Sequence, residues 1–160
     1  MGAVEHSSGL VESQLSALED SYDSFSINQR TVSVPTPQYE QKREGSKNPQ
    51  IELYAKVTND TSDVLYVDTD IHRVLPSTTA SVDDGLEETV RETVKEKTGI
   101  ECEVEGIAGV TILGIRDEDD TDRNPIYRLA VLFEADSKGG SVGENATWDQ
   151  YDPDAHPVYV

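Results

Sequence analysis

The stretch that most limits what this chain can fold into is LEETVRETVKEKTGI, residues 86–100. Leu86, Val90 and Val94 recur four apart, and at about 100° per residue they line up as one apolar stripe, so the segment is a helix with a single buried side. Asp83 or Asp84 is placed to cap it, and Glu87, three residues after Asp84, completes a capping-box pattern. Gly99 is a good stop. The spacing therefore predicts a helix over residues 84–98. It stands among runs with strand character: IELYAKV and DVLYVDT before it, IECEVE, GIAGVTILGI and IYRLAVLFEA after it. The chain reads as α/β, a mixed sheet with this helix on one face.

Ahead of the sheet, SGLVESQLSALEDSYDSF (8–25) sets Val11, Leu15, Leu18 and Tyr22 at helical spacing, with Ser8 able to cap. Such an amphipathic helix would dock on the main domain or on a second copy. TVSVPTPQYE alternates like a strand until Pro35 and Pro37 stop it, and QKREGSKNPQ has the composition of a polar connector. Residues 1–47 are expected to form an N-terminal helix and connector, and residues 48–160 the compact domain, starting near Asn48. IELYAKV and DVLYVDT, separated by the turn-like TNDTS, form a hairpin. HRVLPSTTASVDD reads as a short strand followed by a loop. In IECEVE, residues Ile100, Cys102 and Val104 face inward. RDEDDTDRNP is an acidic loop between the two apolar strands, and SKGGSVGENATWDQYD leads into a last short strand near Trp148.

Charge narrows the functions. With 32 Asp and Glu against 13 Lys and Arg, the 160 residues carry a net charge of -19, which repels nucleic-acid phosphates and anionic membranes alike. An acidic surplus over apolar runs that recur at strand spacing fits a folded, salt-adapted protein of haloarchaeal type rather than disorder. The lone cysteine, Cys102, excludes an internal disulfide and a Cys-based zinc site, and its place in an alternating segment makes it a core residue. No segment approaches the roughly 20 apolar residues of a membrane span, and the N-terminus has no signal-peptide pattern, which makes the cytoplasm the expected location.

Around the helix, Glu87, Arg91 and Lys95 form an i,i+4 ladder, and Glu88, Glu92 and Glu96 a like-charge stripe. Thr93, Glu96 and Lys97 share an arc at the edge of the apolar stripe, the rim of the domain. The order of hairpin, VLP strand, loop, helix ending VKEKTGI, alternating strand and two apolar strands closed by a Trp resembles a Nudix domain, over residues 50 to 151 and most closely over 82–134. The Nudix signature, G-x5-E-x7-R-E-U-x-E-E-x-G-U with U aliphatic, lies on the chain without gaps from its GI end. Val94, Glu96, Gly99 and Ile100 match it. Thr78 stands for the opening Gly, Asp84 for the next Glu, Glu92 for the Arg, Thr93 for the Glu beside it and Lys97 for the second late Glu, while Ser77-Thr78 replaces the double Gly after LP.

What the resemblance implies is a Nudix-like α/β/α sandwich whose usual activity is Mg²⁺-dependent hydrolysis of diphosphate-linked substrates. In that family, carboxylates at the positions of Thr93, Glu96 and Lys97 hold the cations; here Thr93 removes a ligand and Lys97 puts a positive charge where an ion would sit. The expectation is a Nudix-like protein with a degraded metal box that still binds a nucleotide or diphosphate-linked ligand. Glu96 is the surviving catalytic candidate, Glu96 with Glu92 the metal candidates, and Lys97, Glu92, Thr93 and Arg73 the ligand contacts, Lys97 as a point cation for phosphate. No cofactor is required, with Mg²⁺ needed only if the protein is active. A second expectation is an active pyrophosphohydrolase of ADP-ribose or nucleoside diphosphate derivatives with relocated ligands, in which the Glu88, Glu92 and Glu96 stripe is joined by Glu118, Asp119 and Asp120, or by Glu134, from outside the helix. A third, from another class, is a non-catalytic interaction scaffold or homodimer using the N-terminal helix.

Other motifs carry less. DEDDTD lacks the central Gly and closing Glu of an EF-hand, and GGSVG is followed by no helix pattern that would make it a phosphate cradle. His6, His72 and His156 are scattered, with His72 beside VLP as a surface or packing residue.

Overall fold

The computed structural model describes residues 3–22, 25–45, 50–69, 73–81 and 85–151. In chain order the elements are α1 (Ala3–Ser21), β1 (Ser26–Val34), α2 (Thr36–Gly45), β2 (Gln50–Thr58), β3 (Val64–Asp68), β4 (Arg73–Val74), β5 (Ser77–Ser81), α3 (Leu86–Thr98), β6 (Ile100–Asp117), β7 (Ile126–Gly140) and β8 (Ala146–Asp149). The strands form one eight-stranded sheet in the order β1-β6-β7-β2-β3-β4, with β5 added on β2 and β8 on β3. The β1–β6 and β2–β7 pairs are parallel and the others antiparallel, so the sheet is mixed, as the α/β expectation requires.

Strand alternation sorts the layers. Ile51, Leu53, Ala55 and Val57 of β2 and Leu129, Val131, Phe133 and Ala135 of β7 share one core with Val11 and Leu18 of α1 and with Leu86, Val90 and Val94 of α3. The predicted apolar stripe of α3 is therefore the buried one, and α1 docks on the same face of its own sheet. Phe133 is fully buried with the Tyr22 ring edge-on at 6.0 Å, a contact that ties α1 to β7. Neighbouring positions of β6 and β7 face the other way: Leu113, Ile115 and Ile126 pack with Val34 and with Tyr39 of α2. With α1 and α3 on one face and α2 on the other, the sheet is the middle layer of a sandwich.

Several elements differ from the sequence expectation. All of QKREG belongs to a helix, α2, rather than to a connector. Pro37 is tolerated because it lies in the first turn, where a backbone N–H has no helical partner. The helix is anchored by a single aromatic, Tyr39, whose hydroxyl donates to the Asn124 carbonyl at 2.8 Å, and one apolar anchor leaves no periodic signal. STTAS is a strand rather than a loop, since backbone pairing of residues 77–81 with β2 holds it while Ala80 is its buried side chain. IECEVE and GIAGVTILGI are one strand, β6, whose register shifts between Glu101 and Cys102, Val104 and Gly106, and Ile107 and Gly109 absorb the extra residues.

The ends of α3 differ too. Gly85, left-handed at φ 31, occupies the N-cap position with no side-chain cap; Thr89 N–H and Oγ1 both donate to its carbonyl at 3.1 Å. Asp83, Asp84, His72 and Asn48 lie outside the described residues. The C-terminal stop is as expected: Gly99 has φ 82 and donates to the Lys95 carbonyl. A Cβ there would come within 2.5 Å of the Ser141 carbonyl oxygen, so the position excludes any other residue without a shift.

Candidate functional site

The buried stripe of α3 sends its two margins to different places. On one margin Thr93 and Lys97 meet β5. The Lys97 ammonium donates to the Ser77 carbonyl at 2.6 Å, joining the last turn of α3 to the start of β5. Thr93, half-buried, lies beside Ser77, Thr78 and Tyr54 in a narrow cleft with no water-sized cavity. Glu96, one position further round, is exposed.

The other margin is open. Glu88, Arg91, Glu92 and Lys95 face Glu101, Cys102 and Glu103 of β6 and Lys138 of β7 across a groove of about 600 Å³. Lys95 pairs with Glu101 at 3.2 Å and Lys138 with Glu103 at 3.8 Å, and all four side chains are exposed, so each pair contributes on the order of 0–1 kcal/mol. Cys102 lies at the groove but is buried, and burial pushes its thiol pKa up against the opposing pull of Arg91. A thiol kept protonated in this way is a core residue and not a nucleophile, as its sequence position implied.

The residues that resemble a metal box are thus separated. Glu92 lines the open groove, Thr93 lies against β5, Lys97 reaches Ser77 of β5 from an exposed position, and Glu96 stands in solvent. Magnesium needs several oxygen ligands converging on one point. Among the described residues no group of three or more His, Cys, Asp or Glu is placed to hold a metal ion, so this donor set does not fit Mg²⁺.

The loop acids do not complete it. The Thr36 hydroxyl shares its hydrogen between Asp117 at 2.8 Å and Asp119 at 3.1 Å, and the Glu118 N–H donates to the Val34 carbonyl, which ties this loop to α2 and the end of β1, across the sheet from α3. Glu134 alternates with Phe133 and Ala135 and so faces away from α3. Arg73 stands apart as well, held by Asp68 at 3.3 Å and by Asp149, where it pins β3, β4 and β8 together.

Two polar clusters had no counterpart in the sequence reading. Glu52 of β2 and Arg128 of β7 approach to 3.8 Å with side chains only 12% and 13% exposed. Glu52 Oε2 is buried without a hydrogen bond. Burial raises the Glu52 pKa against the opposing charges of Arg128 and Lys42. In IELYAKV this Glu alternates with four apolar residues and looks solvent-facing; the missing signal was α2, which lies on that side of the sheet and brings Lys42 near it. The second cluster fastens α2. Burial disfavours the Asp117 carboxylate, but hydrogen bonds from Thr36, the Asp119 N–H and Arg123 outweigh it and hold its pKa below the ordinary value. Arg123 also reaches Glu40 at 2.6 Å and lies over the Tyr39 ring at 4.5 Å.

The sequence matches no family model and no curated protein. Among solved structures it is similar to an ADP-ribose pyrophosphatase from Streptococcus suis 89-1591 (21% identity, 63% of this chain and 73% of that one, TM-score 0.46). It is also similar to a UDP-X diphosphatase (14% identity, 94% and 84%, TM-score 0.48). A third likeness is to a Sinorhizobium meliloti 1021 protein described as an oxidoreductase (16% identity, TM-score 0.47), covering 72% of this chain but spanning only 36% of that one. At these identities and TM-scores the likeness concerns the path of the chain, and what the chain does must come from its own side chains. No described helix is long and apolar enough to cross a membrane.

Proposed function

We propose that this chain is a Nudix-like domain that does not hydrolyse diphosphates, its metal box having become a structural clamp between α3 and β5. The observation that supports this most is the Lys97 ammonium on the Ser77 carbonyl at 2.6 Å. A cation fixed there repels Mg²⁺ and uses the position where the Nudix signature has its second late Glu. Thr93, in a cleft with no water-sized cavity, supplies no carboxylate, and exposed Glu96 alone is too few ligands. A nucleotide or other diphosphate-bearing ligand at this rim would have to draw Lys97 away from Ser77, so any binding there is metal-independent and carried by that ammonium.

The test is metal binding, followed by the electron paramagnetic resonance of free Mn²⁺ in near-molar KCl, where loose association with the acidic surface is screened. The wild-type chain is expected to leave the Mn²⁺ signal unchanged, and a Thr93→Glu/Lys97→Glu double variant to take up one ion. A single tight site in the wild type that Glu96→Gln abolishes would overturn the proposal. The acidic surplus belongs to the same picture as salt adaptation: the circular dichroism of the folded state should strengthen as KCl is raised, because screening relieves self-repulsion across a net charge of -19.

A further inference from the structure

The two ends of the sheet are finished differently. At one end β4 is two residues long, and its Arg73 is committed to Asp68 and Asp149, a short edge guarded by charge. At the other end β1 runs nine residues, Ser26–Val34, in unbroken parallel register with β6, with no proline and no bulge. Its first six residues are exposed, including Ile27 at 46%. No described strand pairs with its outer side, where every second residue turns its N–H and C=O away from β6. Apart from the charge of Arg30, β1 itself has none of the usual devices that blunt a sheet edge.

Charge identifies the partner. SINQRTVSV contains no carboxylate and a single Arg30, in a chain with 32 acidic and 13 basic residues. Two copies of a chain with net charge -19 repel one another, and an acid-free strip is where their backbones can come to strand spacing, about 4.8 Å, at least cost. Backbone hydrogen bonds, unlike surface ion pairs, are not weakened by the salt that screens this repulsion.

We propose that β1 is a self-pairing edge, joining two copies of this chain by antiparallel β1–β1 hydrogen bonds about a two-fold axis into one continuous sheet. An isologous contact of this kind needs only a self-complementary strand. A register centred on Asn28 meets that need: it sets Arg30 opposite Ser26, keeps the two guanidiniums apart and brings each Ile27 beside the partner's edge. The inference does not depend on the Nudix reading.

Sedimentation of the full chain in near-molar KCl tests it, together with hydrogen exchange of the β1 amides at high and low protein concentration. The expected result is twice the 17.6 kDa chain mass, with alternate β1 amides protected only at the higher concentration. Asn28→Pro and Gln29→Pro add a second check, because adjacent N–H groups point to opposite sides: the variant whose N–H faces outward should keep its circular dichroism and sediment as a monomer. A wild-type monomer at every concentration would overturn the proposal. So would a dimer whose outward β1 amides exchange as fast when concentrated as when dilute, since that dimer uses another surface.

Discussion

The two margins of α3 present the same helix to opposite fates. Thr93 lies against β5 and the exposed Lys97 side chain bonds to Ser77 of β5, whereas Glu88, Arg91, Glu92 and Lys95 border a groove of about 600 Å³. The closed margin is the one where the Nudix signature places metal ligands; the open one carries four Glu against three cations and no convergent donor set. The difference teaches that keeping a helix and keeping its chemistry are separable demands. The apolar stripe Leu86, Val90 and Val94 suffices for the first. The second needs carboxylates at a few particular rim positions, and we propose that the Lys97 ammonium there serves as a clamp instead.

The comparison can be broken most severely at the point both margins share. Gly99→Ala, which forces a Cβ into the Ser141 carbonyl at a left-handed φ of 82, is expected to cost roughly 2–4 kcal/mol in chemical unfolding and to loosen both sides of α3. A loss under about 0.5 kcal/mol would mean that the end of α3 is not pinned as described.

Across the sheet, the Glu52 carboxyl is largely buried where Glu96 is exposed. Its pKa stands above the ordinary 4.5, so the folded chain holds the proton more tightly than the unfolded one. That contribution is fully present below 4.5 and is lost as pH rises through the folded value. Glu52→Gln should flatten this part of the stability–pH profile, because the amide does not titrate. Parallel profiles for the two proteins would show that Glu52 does not titrate in a buried setting.

Lys97→Met and Lys95→Met compare the margins directly. The first keeps most of the stem but removes the bond to Ser77 and should cost about 1 kcal/mol. The second removes an exposed pair with Glu101 and should cost less than about 0.5 kcal/mol. Equal losses in denaturant titrations would erase the distinction between closed and open margin.

Legibility in the sequence followed the strength of periodic burial. The α3 stripe, the Gly99 stop, the buried Cys102 and the β2–β3 hairpin were readable because apolar spacing or a turn residue marked each of them. Helix α2 was not, since Tyr39 is its one buried apolar side chain and the rest of its attachment is polar, through Thr36, Glu40, Asp117 and Arg123. Missing α2 hid the meaning of Glu52, which looks solvent-facing until a helix is placed on that side of the sheet. At the rim, the substitutions at Thr93 and Lys97 were visible one residue at a time, but the bond to Ser77 depends on STTAS being a strand. Nothing in its small polar residues announces that pairing.

The most direct test of the central claim is the phosphorus NMR spectrum of ADP-ribose with the protein in near-molar KCl, recorded with and without Mg²⁺. The account predicts diphosphate signals that stay intact in both, with any broadening equal in the two. Monoester signals that grow only when Mg²⁺ is present would contradict it, because they would show a working metal site at the rim where we propose there is none.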